Sequence, residues 1–213
     1  VGVRTVSSRT MRNKNGNGEN HFTYFLSDGS MHFTQDGDEY YNIFPVWNWS
    51  RIPGVTNPYY ARNEIPKQAK KWRTLGTQDF VGGASDSLYS VNTYRLDDKY
   101  AGINTSAYKS WFFFDDEVVC LGTCITSESE LPINTTIEQN RLKGDILICD
   151  MKNQKKVLDL NKEYHFNHTL KWVLHNNRGY YLPQGGNILL KGEKKRGRWF
   201  DINETQSKEE VTD

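Results

Sequence analysis

Almost nothing in this sequence asks for a helix. Only Glu64–Lys71 has room for a turn or two of one. Long apolar runs are missing as well. No segment approaches the roughly 20 apolar residues that cross a bilayer, so no membrane span is expected. Charge of one sign is missing too: 27 Lys and Arg face 26 Asp and Glu, a formal net charge of +1. No global attraction to nucleic acid or to an anionic membrane follows from that balance. Cysteine is scarce and odd in number, with Cys120, Cys124 and Cys149, so at least one thiol is free or intermolecular. Cys120 and Cys124 are four residues apart in a strand-like run. Their Cα atoms would then lie roughly 13 Å apart, too far for a disulfide. Buried, inert thiols are expected.

Several chemistries lack their motifs. No Gly-rich loop precedes a helix, which argues against a nucleotide site. His165, His168 and His175 are spaced by three and seven residues, which puts them on mixed strand faces without a carboxylate-histidine ligand pattern; no metal and no cofactor are expected. Asp86, Ser87 and His175 have no nucleophile elbow to make them a hydrolase triad. The chain opens on Val-Gly-Val-Arg, with neither the basic leader nor the apolar stretch of a signal peptide. It is read as cut from a longer precursor.

What is present is a strand-and-turn rhythm. His21–Leu26, Met31–Thr34, Tyr108–Phe114, Val118–Ile125, Thr135–Asn140, Asp145–Asp150, Thr169–Leu174, Tyr180–Leu182 and Ile188–Leu190 read as strands between turn residues. Tyr108–Phe114 and Val118–Ile125 form a hairpin around Asp115-Asp116-Glu117. Its near-continuous apolar content predicts strands buried on both faces. The fold class is all-β, a large antiparallel β-sandwich, taken as one domain over 1–213. Aromatic residues make up 13% of the chain, with six Trp and twelve Tyr. A β-rich core explains most of them, and stacking on sugar rings is the alternative. The segment Thr56–Gly83 is long, polar and irregular, as functional loops are. The acidic tail Glu204–Asp213 is expected to be disordered.

Two clusters carry chemistry. Arg9–Asn20 packs three bases, four Asn and one carboxylate with almost nothing apolar. It is either a solvated loop or a polar rim for an acidic sugar, since Asn both donates and accepts and Arg grips carboxylate or sulfate through its planar fork. Glu39–Thr56 holds Trp47 and Trp49 on one face of an extended chain, then a Pro53-Gly54 turn. At least one of these tryptophans is expected in the core. Five Asn-x-Ser/Thr sequons, at Asn48, Asn104, Asn134, Asn167 and Asn203, are ascribed to chance in so Asn-rich a chain.

The same segments resemble polysaccharide lyase family eight, which holds chondroitin AC, hyaluronate and xanthan lyases. The similarity lies in the Arg9–Asn20 run, Leu26-Ser27-Asp28-Gly29, Glu39–Thr56, Asp79–Gly83, Lys109–Phe114, His175–Tyr181 and Gly197–Asn203. It covers nearly the whole chain in order, and the chondroitin AC branch looks closest. The resemblance implies the central super-sandwich, galactose-mutarotase-like, between an upstream α/α toroid and a downstream β domain of the same parent. It implies cleavage of uronate-containing glycans, of chondroitin or hyaluronan type, by β-elimination. The catalytic Asn, His, Tyr and Arg of the family lie on the toroid, so no catalytic residue is assigned here and the chain alone is expected to be inactive. Acidic polysaccharide is the expected partner, and a secreted or periplasmic bacterial location follows from it.

Within the resemblance, substrate-facing positions match Arg12, Lys14 and Asn17. Lys14 stands where the family has Glu, a reversal of charge. Some relatives bind calcium through acidic residues at the positions of Asn48, Ser50, Tyr59 and Tyr60. With those carboxylates replaced, no calcium is expected there. A non-catalytic glycan-binding or scaffold protein on a lyase fold, or a purely structural sandwich, are the alternative readings.

Overall fold

The computed structural model describes residues 1–12, 14–66, 74–99 and 103–212. Most of the expected Glu64–Lys71 helix lies outside the described residues. The chain divides into two compact units, Val1–Gln139 with Arg198–Glu209, and Asn140–Gly197 with Glu210–Asp213.

The first unit contains β1 (Gly2–Arg4), β2 (Ser30–His32), β3 (Thr56–Pro58), β4 (Val81–Ser85), β5 (Ser90–Asp98), β6 (Thr105–Phe113), β7 (Val118–Thr126) and β8 (Ile133–Thr135). β4 to β7 form an antiparallel meander in chain order. β1 pairs with β2, and β3 with β8, both antiparallel. Strand alternation sets the core. Ala107 and Trp111 of β6 point inward with Tyr94 and Leu96 of β5, and pack with Val6 and Met31. Lys109 falls on the same inward row, so its ammonium is buried and donates to the Gly54 carbonyl.

The second unit contains β9 (Leu147–Asp150), β10 (Lys155–Val157), β11 (Glu163–Asn167), β12 (Leu170–His175), β13 (Arg178–Tyr181) and β14 (Asn187–Lys191). One sheet runs β10-β9-β12-β13, and β11 pairs with β14. Ile146, Ile148, Leu158, Leu170 and Val173 make its core, against Tyr164, Phe166 and Ile188. Asn176 and Asn177 both take positive φ, +48° and +58°, as a tight turn between antiparallel strands requires. β15 (Arg196–Arg198) and β16 (Glu210–Thr212) form a last antiparallel pair.

Five expectations are corrected. His21–Leu26 is not a strand: Thr23–Ser27 is a 3-10 turn with Thr23, Tyr24, Phe25 and Ser27 buried, because the segment turns its aromatic residues into the core instead of pairing. The Thr135–Asn140 strand is displaced, and β8 ends at Thr135. The hairpin forms in register, Phe113 opposite Val118, but β7 is not buried on both faces. Among the described residues it pairs only with β6, and Val119, Leu121 and Ile125 are exposed. Cys120 and Cys124 ride on that edge strand and are exposed, while Cys149 is buried. Finally, the tail is ordered in part, as β16 and as the turn at Asn203–Gln206.

The turn after β2 rests on one carboxylate. Glu39 is buried and accepts from the backbone N–H of Gln35, Asp36 and Gly37. The Gln35 N–H is the strongest influence; burial opposes it, and the further N–H donors add to it, holding the Glu39 carboxyl at about 2 against an ordinary 4.5. A depressed carboxyl favours the fold where it is ionised in both states, and that stability is lost as pH falls through the folded value. The protein is therefore expected to lose stability between pH 4.5 and 2, and Glu39→Gln to flatten that slope. Urea unfolding at stepped pH checks this; an unchanged slope in the variant would remove Glu39 from the account.

Candidate functional site: a donor-rich rim beside an aromatic cleft

The Arg9–Asn20 segment is irregular because its polar side chains compete for the backbone. It is held at both ends. The Arg12 N–H donates to the Thr74 carbonyl at 2.8 Å, Met11 bridges Leu75, and Ser8 Oγ donates to the Asp79 carboxylate. At the far end the Gly16 N–H donates to the Asn20 carbonyl and the Asn20 N–H to that of Asn17, at 2.8 and 3.1 Å.

The three site candidates part company here. Arg12 turns inward and is only 6% exposed. One guanidinium nitrogen sits 2.6 Å from Asp28 Oδ2 and 3.2 Å from the Tyr24 carbonyl. Burial works against its charge, but Asp28 and its acidic surroundings win and raise the Arg12 pKa further. Burial conversely raises the Asp28 carboxyl, against the pull of Arg12. The guanidinium is thus occupied in the core, and its sequence neighbourhood concealed this. Lys14 is exposed, and its ammonium has no protein partner among the described residues. Its carbonyl accepts from the Thr23 hydroxyl. Asn17 is half-buried. Asn20 Nδ2 donates to Asn17 Oδ1 at 3.3 Å, which fixes the Asn17 amide so that its NH₂ is the free end. Lys14 and Asn17 together offer an ammonium and an amide NH₂, donors suited to carboxylate or sulfate oxygens.

A second segment, unforeseen in the sequence, completes the site. The His21 N–H donates to the Ile202 carbonyl and the Glu204 N–H to that of Gly18, at 3.1 and 2.8 Å. His21 Nε2 lies 3.1 Å from Glu204 Oε1. The 199–206 segment is thereby stitched to the rim, and between them lies a cleft of about 330 Å³ with Phe44, Trp49 and Trp199 among its walls. Composition marks the part from Glu204 onward as disordered; no local pattern pairs His21 with Glu204 across 183 residues.

The positions of the relatives' calcium ligands are built differently. Asn48 Oδ1 accepts from the Ser50 and Asn63 N–H groups, and Ser50 Oγ donates to the Ala61 and Glu64 carbonyls. The Arg51 guanidinium stacks 3.8 Å over the Tyr59 ring and donates to the Tyr60 carbonyl. Engaged side-chain oxygens beside a resident cation do not fit a hard divalent ion. Trp47 and Trp49 are both core residues, their rings edge to face at 5.3 Å. Among the described residues no three His, Cys, Asp or Glu cluster as metal ligands do.

The profile of polysaccharide lyase family 8, super-sandwich domain, matches residues 1–213. The chain belongs to that family. Among curated relatives, this family 8 super-sandwich is 41% identical over 211 residues to chondroitinase-AC of Pedobacter heparinus, covering 99% of this chain and 29% of the relative. It is 30% identical over 215 residues to xanthan lyase of Bacillus sp. strain GL1, covering 95% and 22%. Among solved structures, a chondroitinase AC lyase described with oligosaccharide complexes superposes with a TM-score of 0.86 at 40% identity, covering 99% of this chain and 30% of that one. The super-sandwich thus spans under a third of the length of these relatives.

The inward role of Arg12 has a measurable consequence. Arg12→Met leaves the Asp28 charge buried without its partner and is expected to cost about 3–5 kcal/mol. The double variant Arg12→Met, Asp28→Leu is expected to recover most of that. Denaturant midpoints of the three proteins decide it, and a single variant as stable as the parent would return Arg12 to the substrate side.

Proposed function

We propose that this domain forms the sandwich-side wall of the substrate cleft in a multidomain lyase that cleaves uronate-containing glycans, of chondroitin or hyaluronan type, by β-elimination. The observation that carries the reading is an unpartnered Lys14 ammonium and the free amide NH₂ of Asn17 on one short loop, on a domain 41% identical to a chondroitinase. The reaction explains why such a rim is useful. The proton at uronate C5 is weakly acidic, and removing it builds negative charge on the adjoining carboxylate. Fixed donors and a cation aimed at that group lower the barrier in a site shielded from water. The base and acid themselves are assigned to the toroid upstream, and a smaller β domain downstream completes the parent. Its polymeric substrates are extracellular, so the reading carries a secreted or periplasmic location.

Lys14 in place of the family Glu supports one second reading. A cation there grips an anionic polymer without contributing to turnover, as a glycan-binding scaffold on a lyase fold would. The two readings separate in the full-length parent, incubated with chondroitin, hyaluronan, heparin and xanthan while the absorbance of the new unsaturated uronate is followed. A rise with one polymer is expected. Asn17→Ala is then expected to lower kcat/KM by roughly 10–100-fold, the size of a hydrogen bond to a charged group. Silence across the panel from a folded parent that still binds polymer would favour the scaffold.

A further inference from the structure

The cleft beside the rim has the chemistry of a sugar site that the rim alone does not explain. Its aromatic walls are fixed. Trp199 Nε1 donates to Asn42 Oδ1 at 2.6 Å and Trp49 Nε1 to the Phe44 carbonyl at 3.2 Å. Phe44 stands 6.2 Å from Trp199 and 5.6 Å from Trp49, centre to centre. Both indole N–H groups are thus satisfied within the protein, and what Trp199, half-buried, offers the cleft is its ring. Around that surface lie polar groups with capacity to spare. Neither the Glu19 carboxylate nor the Gln206 amide has a protein partner among the described residues, and both residues are exposed. Asn203 Oδ1 is occupied by the N–H and hydroxyl of Thr205, which leaves its NH₂ as the free end. An aromatic floor with amide donors and carboxylate and amide acceptors around it is how proteins hold a ring with one apolar face and a hydroxylated edge.

The charges choose among sugars. Among the described residues no Lys or Arg lines the cleft, and the one ionisable lining residue is Glu19. His21 at its border is matched to Glu204. A uronate or sulfated ring would bring its anion against a carboxylate with no cation to offset it, whereas an uncharged ring meets only partners. The volume of about 330 Å³ lies at the small end of ligand sites and suits one ring. The cleft is also continuous with the rim: Asn20 lines it and holds Asn17, and Thr23 lines it and holds the Lys14 backbone.

We infer that this cleft is a subsite for a single uncharged pyranose, the hexosamine that alternates with the uronate in a glycosaminoglycan, seated on Trp199 while Lys14 and Asn17 take the neighbouring anionic ring. This rests on the glycan reading above, but its test separates the two. The ¹⁵N-labelled 213-residue chain is titrated with methyl β-N-acetylgalactosaminide, with methyl β-glucuronide and with a chondroitin tetrasaccharide. The Trp199 indole N–H, identified with Trp199→Phe, reports the cleft, and the Asn17 side-chain amide reports the rim. The hexosaminide is expected to shift Trp199 and the glucuronide to leave it in place. Gln206→Ala is expected to weaken the hexosaminide about fivefold, the size of one neutral hydrogen bond. A tetrasaccharide that moves Asn17 and not Trp199 overturns the subsite and leaves the rim standing; one that moves neither sinks both. A glucuronide that shifts Trp199 as strongly as the hexosaminide overturns the choice of an uncharged ring.

Discussion

The first unit depends on a charge balance buried beneath its meander. Arg12 meets Asp28 at 2.6 Å, and Asp98 accepts from the Tyr24 hydroxyl at 2.6 Å. The Arg12 guanidinium lies 4.8 Å over the Tyr24 ring. Lys109, also buried, feels Asp28 across the same interior, and burial still pushes its amine down to about 8. Two acids and two bases share the space, and removing any one leaves a partner costly to keep charged. This network ties the sequence-distant pieces together: the rim by Arg12, the 3-10 turn by Tyr24, β5 by Asp98 and β6 by Lys109. Arg12, two residues before Lys14, is therefore the anchor that sets where the exposed rim begins.

Close backbone packing follows from the same centre. Gly29, at φ +85°, lies over Trp111, and a Cβ there would meet the indole at 3.2 Å. Gly54, at φ +84° in the Pro53-Gly54 turn, approaches the Gly29 carbonyl so closely that a Cβ would fall 2.3 Å from it. Only glycine fits both the backbone angle and the space. With the two turns in contact, the Gly54 carbonyl is left pointing at the Lys109 ammonium. A buried cation thus has its acceptor because two glycines let the chain pass close.

What the sequence made legible was local, and what it hid was relational. The Asp115–Glu117 hairpin and the Pro53-Gly54 turn each follow from residues a few positions apart, and each is present. That at least one of Trp47 and Trp49 lies in the core was also readable, and both do, since a large aromatic beside a turn has little else to do. Composition misled where burial depends on distant partners. Arg12 and Lys14 look alike in a string of bases; only Asp28, folded back from a later turn, makes one a core residue and leaves the other in water. The apolar row of β7 gave its hydrophobicity correctly and its surroundings wrongly, because a strand at a sheet edge has one neighbour fewer than its sequence implies. The tail erred in the opposite direction. Its polarity suggested disorder, yet the bond from the Glu204 N–H to the Gly18 carbonyl and the His21–Glu204 pair fix its start against the rim.

On the glycan reading, the same distinction bears on how one domain contributes to chemistry assigned to another part of the parent. Lys14 and Glu19 are five residues apart on one loop, opposite in charge and both without protein partners among the described residues. Had they paired, the rim would be neutral and indifferent to register. Between them Asn17 and Asn20 close on each other through backbone and side chain. On the glycan reading, a polymer that alternates charged and uncharged rings meets a loop that changes sign along its length. Sliding the polymer by one ring sets an anion against Glu19 and a neutral ring against Lys14, so register is selected by repulsion as much as by attraction. On the glycan reading, the reversal at Lys14 is more than a lost family carboxylate. It supplies the positive end of a dipolar edge, and it is that polarity, held by Arg12 below and the 199–206 segment alongside, that turns a passive wall into one that positions the uronate.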